Sequence, residues 1–339
     1  RQEIVMDWLV KYVLLVILIE KNHLKQTKLN MEILGIGNAI VDVICKVEES
    51  YILQNDLTKG NMKLIFDEKE FQKLLINLKI EKTISGGSVA NSIVGLSQEG
   101  NKVGFIGKIS DDEFGKKYEI GLKKENVNYI YSKKKEILPT GTCLILVTPD
   151  SERTMCTFLG TAGKINENDV DINAIRKSKI TFLEGYLWDE GDPKKAFDKA
   201  IKNSNKIGMS LSDKFCVDRH KTNFLDLVKN KLDITFANEE EIMSLISTQN
   251  FDDVIQFGKQ IKKLLVITRG EKGAIAIDGD KICEIDVKKN LKIVDLTGAG
   301  DLFAAGYLHG LINNFSQKAC LEKGTEMSSK IIQQIGARL

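Results

Sequence analysis

The sequence predicts an α/β fold in which helices cover both faces of a mostly parallel central sheet. One observation is a series of apolar, β-branched segments, which is typical of strands buried on both faces. Another is that amphipathic stretches such as residues 252–263 separate these segments, because strands that alternate with helices form parallel sheets. The strand segments are EILGIGN (32–38), KVGFIGKI (102–109), KITFLEGY (179–186), KIGMSLS (206–212), LDITFAN (232–238) and LLVITRG (264–270).

Two regions interrupt this alternation and predict a small lid of β-strands beside the main sheet. One region, at about residues 42–66, holds two strand-like segments, VDVICKVEE (41–49) and NMKLIFD (61–67). Residues 141–160 form a hairpin pattern that turns at Thr148–Glu152, where Pro149 and Asp150 supply turn chemistry. Because open α/β sheets bind ligands beyond the carboxyl ends of their strands, we expect the lid to cover a ligand there.

Residues 31–339 are expected to form one domain, with residues 1–30 as an extension outside it. The extension begins without Met, and its apolar run from Tyr12 to Ile19 is much shorter than the ~20 residues that span a bilayer. No small-residue cleavage site follows this run. A working membrane anchor is the alternative interpretation, and no membrane partner is predicted.

Composition and motifs exclude several classes of function. A net charge of +2, from 49 basic and 47 acidic residues that are interspersed, does not predict a nucleic-acid partner. Six cysteines without a CxxC pair, and only three histidines, predict reduced thiols in a cytoplasmic protein instead of a zinc site. The GxSxG elbow, the Walker A loop and the third glycine of the dinucleotide fingerprint are absent, which disfavours serine hydrolases, P-loop enzymes and NAD enzymes.

The stretch VDLTGAGDLFAAGYLHGL, residues 294–311, predicts an anion site. If Lys292–Asp295 end a strand, then Gly298, Ala299 and Gly300 lie at the N-terminus of the next helix. Amides there lack partners within the helix, and the helix dipole is positive at that end. Glycines also allow a ligand to approach the backbone closely. An anion such as a phosphate would be held at this point.

Asp301 follows these glycines directly and has two interpretations. It could only complement the dipole of the first helical turn, which contributes about 0.3–1 kcal/mol. It could instead accept the proton of a hydroxyl group that attacks a phosphorus atom held over the amides. The combination of two glycines, an acid and an immediate helix favours the second interpretation.

A second glycine cluster, GGSVANS, begins at Gly86. Gly86 and Gly87 precede a small, apolar helix pattern, and Ser88 and Asn91 offer polar groups near its start. Ser or Asn at this position is usually a helix cap, so this cluster is weak evidence when taken alone.

Together the two clusters resemble a known family. Residues 86–118, GGSVANSIVGLSQEGNKVGFIGKISDDEFGKKY, and residues 295–308, DLTGAGDLFAAGYL, are similar to the two signatures of the ribokinase-like, or PfkB, carbohydrate and nucleoside kinases. The likeness covers residues 31–339. It implies a three-layer α/β/α sandwich with a mostly parallel sheet and a small β-strand lid, and transfer of the γ-phosphoryl group of ATP, with Mg²⁺, to a hydroxymethyl group.

The resemblance implies a catalytic role for five residues. Asp301 would be the general base, and the amides of Gly298, Ala299 and Gly300 would form the anion hole. Arg153, in the lid hairpin, would lie near the transferred phosphate, where its planar guanidinium group suits a bidentate contact.

On the acceptor side, the resemblance assigns four residues to substrate binding. They are Asp42, Gly86, Gly87 and Asn91. The carboxylate of Asp42 would accept hydrogens from two sugar hydroxyls, as suits a ribose diol. A turn residue at the end of a strand is the alternative for Asp42.

For the nucleotide, the resemblance implies contacts from Asn238, Glu241, Thr268 and Gly270, with Glu241 holding Mg²⁺ through water. Asn238 and Glu241 also fit a capping box, which is the structural alternative. K⁺ is an optional cofactor, because some members of the family bind a monovalent cation near positions equivalent to Asp295 and Thr297.

Finer features resemble the bacterial branch commonly labelled adenosine kinase. They are CLILVTPDSERTMCTFLG, FLEGYLWD, LSDKFCVDRH and FANEEE. Adenosine to AMP, a step of purine salvage, is therefore the first choice, and a ribokinase, fructokinase or other sugar kinase is the alternative. A catalytically inactive nucleoside- or sugar-binding protein is the alternative from another class, which the presence of Asp301 disfavours. A monomer or homodimer in the cytoplasm is expected.

Overall fold

The computed structural model describes residues 31–131, 134–150, 152–189 and 193–339. The expectations about residues 1–30 lie outside these ranges. In chain order the strands are β1 (Met31–Ile36), β2 (Ile40–Lys46), β3 (Met62–Ile65), β4 (Ile80–Gly86), β5 (Val103–Ile106), β6 (Asn128–Tyr129), β7 (Gly141–Val147), β8 (Arg153–Phe158), β9 (Ser178–Glu184), β10 (Ile207–Ser210), β11 (Ile234–Asn238), β12 (Leu264–Thr268), β13 (Ala274–Asp278) and β14 (Lys281–Ile285).

The α-helices connect these strands and cover the sheet. They are α1 (Glu49–Gln54), α2 (Glu68–Leu75), α3 (Ser88–Gln98), α4 (Glu113–Lys124), α5 (Ile172–Lys177), α6 (Lys194–Asn203), α7 (Lys214–Asp226), α8 (Glu239–Ile246), α9 (Phe251–Ile261), α10 (Ala299–Ile312) and α11 (Gln317–Ile331). No helix in the described part of the chain is long and apolar enough to cross a membrane.

The larger sheet has the strand order β14-β13-β12-β11-β10-β9-β1-β5-β6. Its strands pair in parallel from β6 to β12, and β13 and β14 add an antiparallel edge. Because neighbouring residues of a strand face opposite sides, Phe182 and Leu183 belong to different hydrophobic clusters. One cluster includes residues of α3, α10 and α11, and the other includes residues of α5 to α9, so the sheet is the middle of three layers.

A smaller sheet, β3-β8-β7-β2-β4, forms the lid. The segments 42–66 and 141–160, expected to supply lid strands, contain β3, β7, β8 and most of β2, and β4 is the strand that the sequence interpretation did not include. β7 and β8 form an antiparallel hairpin, in which the Thr148 amide donates to the carbonyl of Glu152. Because β4 ends at Gly86 and α3 begins at Ser88, one end of the lid runs directly into a helix of the main domain.

The expected strand over Lys292–Asp295 is wrong. These residues belong to an irregular segment between β14 and α10. The amides of Val294 and Asp295 both donate to the carbonyl of Ile332, just after α11, so they are not available to a strand partner. The apolar pattern misled because the side chain of Ile293 is 63% exposed instead of buried in the sheet.

Candidate active site

The N-terminus of α10 presents backbone amides to a cavity of about 250 Å³, which we call the α10 cavity. Gly298 precedes the helix with φ of 79°, and a Cβ atom added there would lie 2.7 Å from the Cα of Ala337. Glycine is therefore required at this position by both backbone conformation and space. At Gly300 an added Cβ would meet nothing within 4 Å, so this face of the helix is open to a ligand.

The amides at this helix end are not all free. The Ala299 amide donates to the carbonyl of Leu296 at 3.2 Å, because the chain closes a turn as it enters α10. The expectation of a free Ala299 amide is corrected in this respect. Among the described residues, no acceptor is found for the amides of Gly298, Gly300 and Asp301. Asp301 thus replaces Ala299 among the three unpaired donors, and the positive end of the α10 dipole lies behind them.

Asp301 is bound by the first turn of α3. The Ser88 hydroxyl donates to Asp301 Oδ1 at 2.7 Å, and Asn91 Nδ2 donates to Asp301 Oδ2 at 3.0 Å. The Ser92 hydroxyl donates to the backbone carbonyl of Asp301 at 2.8 Å. Both carboxylate oxygens are therefore fixed in direction by side chains about 210 residues away in sequence. Ser88 lies beside Asp301 on the wall of the α10 cavity.

Burial raises the pKa of Asp301 to about 6, while the hydrogen bonds from Asn91 and Ser88 and the charge of Arg338 act in the opposite direction. Desolvation disfavours the charged form of a carboxylic acid, whereas hydrogen bonds donated to that form favour it. The side chain is ionised at neutral pH and takes up a proton more readily than an exposed aspartate. Those properties suit a group that accepts a proton during a reaction.

Glu184, at the end of β9, holds the beginning of α3 in place. Asn38 Nδ2 donates to Glu184 Oε1 at 3.0 Å, and the Val89 amide donates to Glu184 Oε2 at 3.0 Å. Burial raises the pKa of Glu184 to about 7, against these hydrogen bonds. The carboxylate satisfies one of the free amides of α3, and it fixes the turn that carries Ser88.

On the opposite wall of the α10 cavity lie Asn238 and Thr268, which are register partners at the ends of β11 and β12. The Glu241 amide donates to Asn238 Oδ1 at 2.8 Å, and the Asn238 amide donates to Glu241 Oε2 at 3.0 Å. This is the capping box given above as the structural alternative. Gly270 lies farther along, in an exposed turn with φ of 56°, and it does not line the α10 cavity.

Glu241 has the chemistry of a magnesium ligand but little freedom to coordinate directly. Burial raises its pKa to about 7, and both of its carboxylate oxygens accept hydrogen bonds from Asn238. Mg²⁺ prefers oxygen ligands and usually retains several waters. The residues therefore fit a hydrated Mg²⁺ that contacts Glu241 through water better than one bound to it directly.

A second cavity, of about 500 Å³, lies between the lid and the main domain, and we call it the lid cavity. Asp42 of β2 lines it, and burial raises the pKa of this carboxyl to about 7 against the charges of Arg338 and Arg153. A Cβ atom on Gly86 would lie 2.5 Å from Asp42 Oδ2, so glycine makes room for this carboxylate. Gly87 has φ of 102°, and its added Cβ would lie 2.2 Å from the Asn38 carbonyl.

The two cavities meet at one hydrogen bond. Asp301 lines the α10 cavity, Asn91 lines the lid cavity, and the bond between them joins the two walls. Arg153, the first residue of β8, lines the lid cavity, and its Nη1 lies 2.8 Å from Asp295 Oδ2. The structure thus brings Asp42, Asn91, Arg153 and Asp301 around one cleft.

Several residues that hold this cleft in place were not identified as site residues from the sequence. Asn38 and Glu184 support α3, and Arg338 donates from Nε to Asn91 Oδ1 at 3.2 Å. Asn38 and Glu184 each stand at or just beyond the carboxyl end of a predicted strand, which is a general signal for a ligand edge. No local pattern marked Arg338.

Among the described residues, Asp189, Cys216 and His220 are the group whose spacing could suit a metal ion. The Asp189 carboxylate already accepts hydrogen bonds from Nε and Nη2 of Arg219, at 3.0 and 2.8 Å. Burial also raises the pKa of the Cys216 thiol far above its usual range. The cluster is therefore a partly buried group whose carboxylate is already paired with an arginine, and its three residues line neither cavity.

All the residues described around the cleft lie within the part of the chain that matches a known protein family. Residues 36–339 match the pfkB family of carbohydrate kinases. The chain belongs to this family. The predicted PfkB membership, the ribokinase-like fold and the class of enzyme are confirmed. As a pfkB protein, the chain is a phosphotransferase that acts on a hydroxyl group, and kinases of this family use ATP.

Similar proteins include both nucleoside and sugar kinases of the pfkB family. Adenosine kinase from Sinorhizobium meliloti superimposes with a TM-score of 0.83 at 33% identity, covering 92% of this chain and 96% of that one. A probable sugar kinase from Rhizobium etli gives a TM-score of 0.82 at 34% identity, covering 91% and 95%. Adenosine kinase 2 from Arabidopsis thaliana is 25% identical, over 90% of this chain and 94% of its own length.

Proposed function

We propose that this pfkB kinase transfers the γ-phosphoryl group of Mg·ATP to a primary hydroxyl of a ribose-containing acceptor, with adenosine as the first choice. The observation that carries the proposal is the position of Asp301. Its carboxylate lies between the α10 cavity, where unpaired amides favour a phosphate, and the lid cavity, where Asp42 favours hydroxyls.

In the proposed reaction the acceptor oxygen attacks the γ-phosphorus of ATP, and ADP leaves with the electrons of the broken P–O bond. Asp301 takes the hydroxyl proton as the new P–O bond forms. The amides of Gly298, Gly300 and Asp301 stabilise the charge on the transferred group, and Arg153 lies close enough to the cleft to assist. Phosphoryl transfer depends mainly on positioning and electrostatic stabilisation, which fits a base of modest strength.

Mg²⁺, when bound with ATP, would neutralise phosphate charge. In this proposal Glu241 and Asn238 hold its hydration shell, and Thr268 contacts the nucleotide. Gly270, outside the cavity wall, is assigned to the edge of the nucleotide site. Asp295 and Thr297 are the residues around which an activating K⁺ would bind.

Asp42, Asn91 and the glycine pair Gly86 and Gly87 are assigned to the acceptor. A carboxylate enclosed in the lid cavity accepts hydrogens from two adjacent hydroxyls, as a ribose diol provides. Similarity to adenosine kinases supports adenosine, and similarity to a probable sugar kinase supports a free sugar as the second candidate. A cytoplasmic location, a role in purine salvage and a monomeric or homodimeric state are further parts of the proposal.

One assay tests the proposal. ADP release from Mg·ATP is measured with adenosine, other nucleosides, ribose, fructose and 2-keto-3-deoxygluconate, with 5′-deoxyadenosine as a control that lacks the primary hydroxyl. We expect turnover with adenosine and none with the control. Turnover with a sugar and none with adenosine would show that the acceptor is that sugar. Tight binding of an acceptor without turnover of any compound would favour the catalytically inactive binding protein.

A further inference from the structure

Arg338 lies at the wall of the lid cavity, and among the described residues one side chain, that of Asn91, accepts a hydrogen bond from its guanidinium group. Its Nε donates to Asn91 Oδ1 at 3.2 Å. Its Nη2 is enclosed and has no hydrogen-bond partner among the described residues. A buried donor without a partner is unfavourable, and the few such groups in native proteins each call for an explanation. The position of Arg338 therefore needs an explanation beyond stability.

Asn91 links Arg338 to Asp301. The amide oxygen of Asn91 accepts from Arg338, and the amide nitrogen donates to Asp301 Oδ2 at 3.0 Å. The two ends of an asparagine amide differ chemically, because its oxygen only accepts hydrogen bonds and its NH₂ group only donates them. A guanidinium group donates and never accepts. With Arg338 present, the end of Asn91 that faces Asp301 must therefore be the NH₂ group.

Without Arg338, only the Asp301 carboxylate, among the described residues that contact this amide, would select between its two orientations, and only while Asp301 is ionised. A flipped Asn91 would point its oxygen at the Asp301 carboxylate, which repels the ionised acid and favours the protonated one. A protonated Asp301 accepts no proton from an acceptor hydroxyl. The orientation of a neutral side chain thus decides whether the neighbouring acid is ready to act as a base.

We propose that Arg338 is a positioning residue: it fixes the Asn91 amide so that Asn91 donates to Asp301 and keeps Asp301 ionised for catalysis. The proposal rests on the assignment of Asp301 as the base. Arg338 acts through Asn91 and not by contact with the reacting atoms. A three-residue chain, Arg338 to Asn91 to Asp301, then connects the lid cavity to the base.

Other charged groups around Asp301 bear on the test. Burial is the main cause of the raised pKa values of Asp42, Glu184 and Tyr186, and the charge of Asp301 raises each of them further. The charge of Arg338 lowers the pKa of both Asp301 and Asp42. Removing Arg338 also removes a positive charge, so a direct electrostatic effect must be separated from the effect through Asn91. Comparison of variants with and without Asn91 provides that separation.

The experiment compares R338M, which lacks the donor and the charge, with R338K, which retains both. The acidic limb of kcat against pH is measured at saturating ATP and acceptor. In R338M we expect the apparent pKa of the acidic limb to rise by about one unit, as for loss of a hydrogen bond to a carboxylate. In R338K the apparent pKa should stay near the wild-type value. KM for ATP should change less than about twofold, because Arg338 lines the lid cavity and not the α10 cavity.

A double-mutant cycle shows whether Arg338 acts through Asn91. In the N91A background, the R338M substitution should move the limb by less than half of its effect in wild type. R176M is the matched control, because Arg176 also binds an asparagine side chain, Asn203, but on an exposed surface away from the cleft. It should leave the limb unchanged.

A readout independent of turnover separates this inference from the proposed function. The Asp301 carboxyl is titrated by ¹³C NMR in the intact protein, with D301N to assign its signal. An upward shift in R338M that is absent in R338K supports the inference even if no acceptor is phosphorylated. Equal shifts with and without Asn91, or no shift in R338M, would overturn it. Thermal melts check folding, and if R338M does not fold, a shifted titration in R338K overturns the inference.

Discussion

The α10 cavity and the lid cavity meet at Asp301 but are formed by different kinds of groups. The α10 cavity presents the backbone amides of Gly298, Gly300 and Asp301 at one helix end, beside the ends of two adjacent strands. The lid cavity presents side chains from β2, α3, β8 and residues 335–338. The backbone amides of the α10 cavity are placed by local chain geometry, and they recognise phosphate, a group common to all nucleotides. The side chains of the lid cavity are brought together by tertiary contacts, and their identities can vary to select one acceptor.

The largest effect is expected where the two cavities meet. D301N removes the proton acceptor but retains an oxygen for the hydrogen bond from α3, so kcat should fall by about 10²- to 10⁴-fold. ATP affinity should change little, since the amides of α10 are intact. Steady-state kinetics and calorimetric ATP binding test both statements. Near wild-type turnover in D301N would mean that the two cavities do not share this base.

The pH profile of kcat/KM for the acceptor should show two ionisations, one from Asp301 and one from Asp42. The pKa of Asp301 is about 6 and that of Asp42 about 7, and each is raised by burial. Because both carboxyl groups must be ionised for activity, the enzyme is active at pH above both pKa values and loses activity as the pH falls through them. We expect kcat/KM for the acceptor to fall about tenfold per pH unit below 7 and about a hundredfold per unit below 6. D42N should remove the upper step, and a profile unchanged in D42N would exclude Asp42.

D42N should weaken binding of the acceptor but not of ATP. Loss of an acceptor for the hydroxyl hydrogens should raise the acceptor KM by about 10- to 100-fold, which corresponds to hydrogen bonds to a charged group. KM for ATP should stay within about twofold of wild type, because the α10 cavity is unchanged. If D42N weakened ATP and acceptor equally, the division between the two cavities would be wrong.

The smallest effect is expected from a methyl group at the backbone site. G298A introduces a side chain at positive φ and against Ala337, so stability should fall by about 1–3 kcal/mol and KM for ATP should rise several-fold. G279A is the matched control: Gly279 lies in the turn between β13 and β14 with φ of 58°, and its added Cβ meets nothing within 4 Å. Urea unfolding and ATP kinetics compare the two. Equal losses would show that crowding at Gly298 is irrelevant.

The sequence predicted the parts of the site that depend on local chain geometry. The helix end at Gly298, the paired glycines at Gly86 and the capping box at Asn238 each follow from residue types within a few positions. Alternating apolar segments also predicted the main sheet correctly. The irregular segment at Lys292–Asp295 was missed because exposed apolar residues there have the pattern of a buried strand.

The contacts that join distant parts of the chain were not predictable from one sequence. Ser88 and Asn91 were noted near a helix start, but nothing local indicated that they would bind Asp301. Glu184 and Arg338 were missed for the same reason, since each acts on a partner about 95 or more residues away. The Ala299 amide was expected to be free, and the turn that occupies it depends on the path of the preceding loop.

The two hydrogen bonds that α3 donates to Asp301 have a stereochemical consequence. Each carboxylate oxygen has one lone-pair direction already occupied, by Ser88 or by Asn91. Only the directions that face the cleft are left to receive a proton, so a polyhydroxylated molecule has to present one particular oxygen along that line. Regioselectivity would then be set by the base itself, before any contact in the lid chooses among sugars.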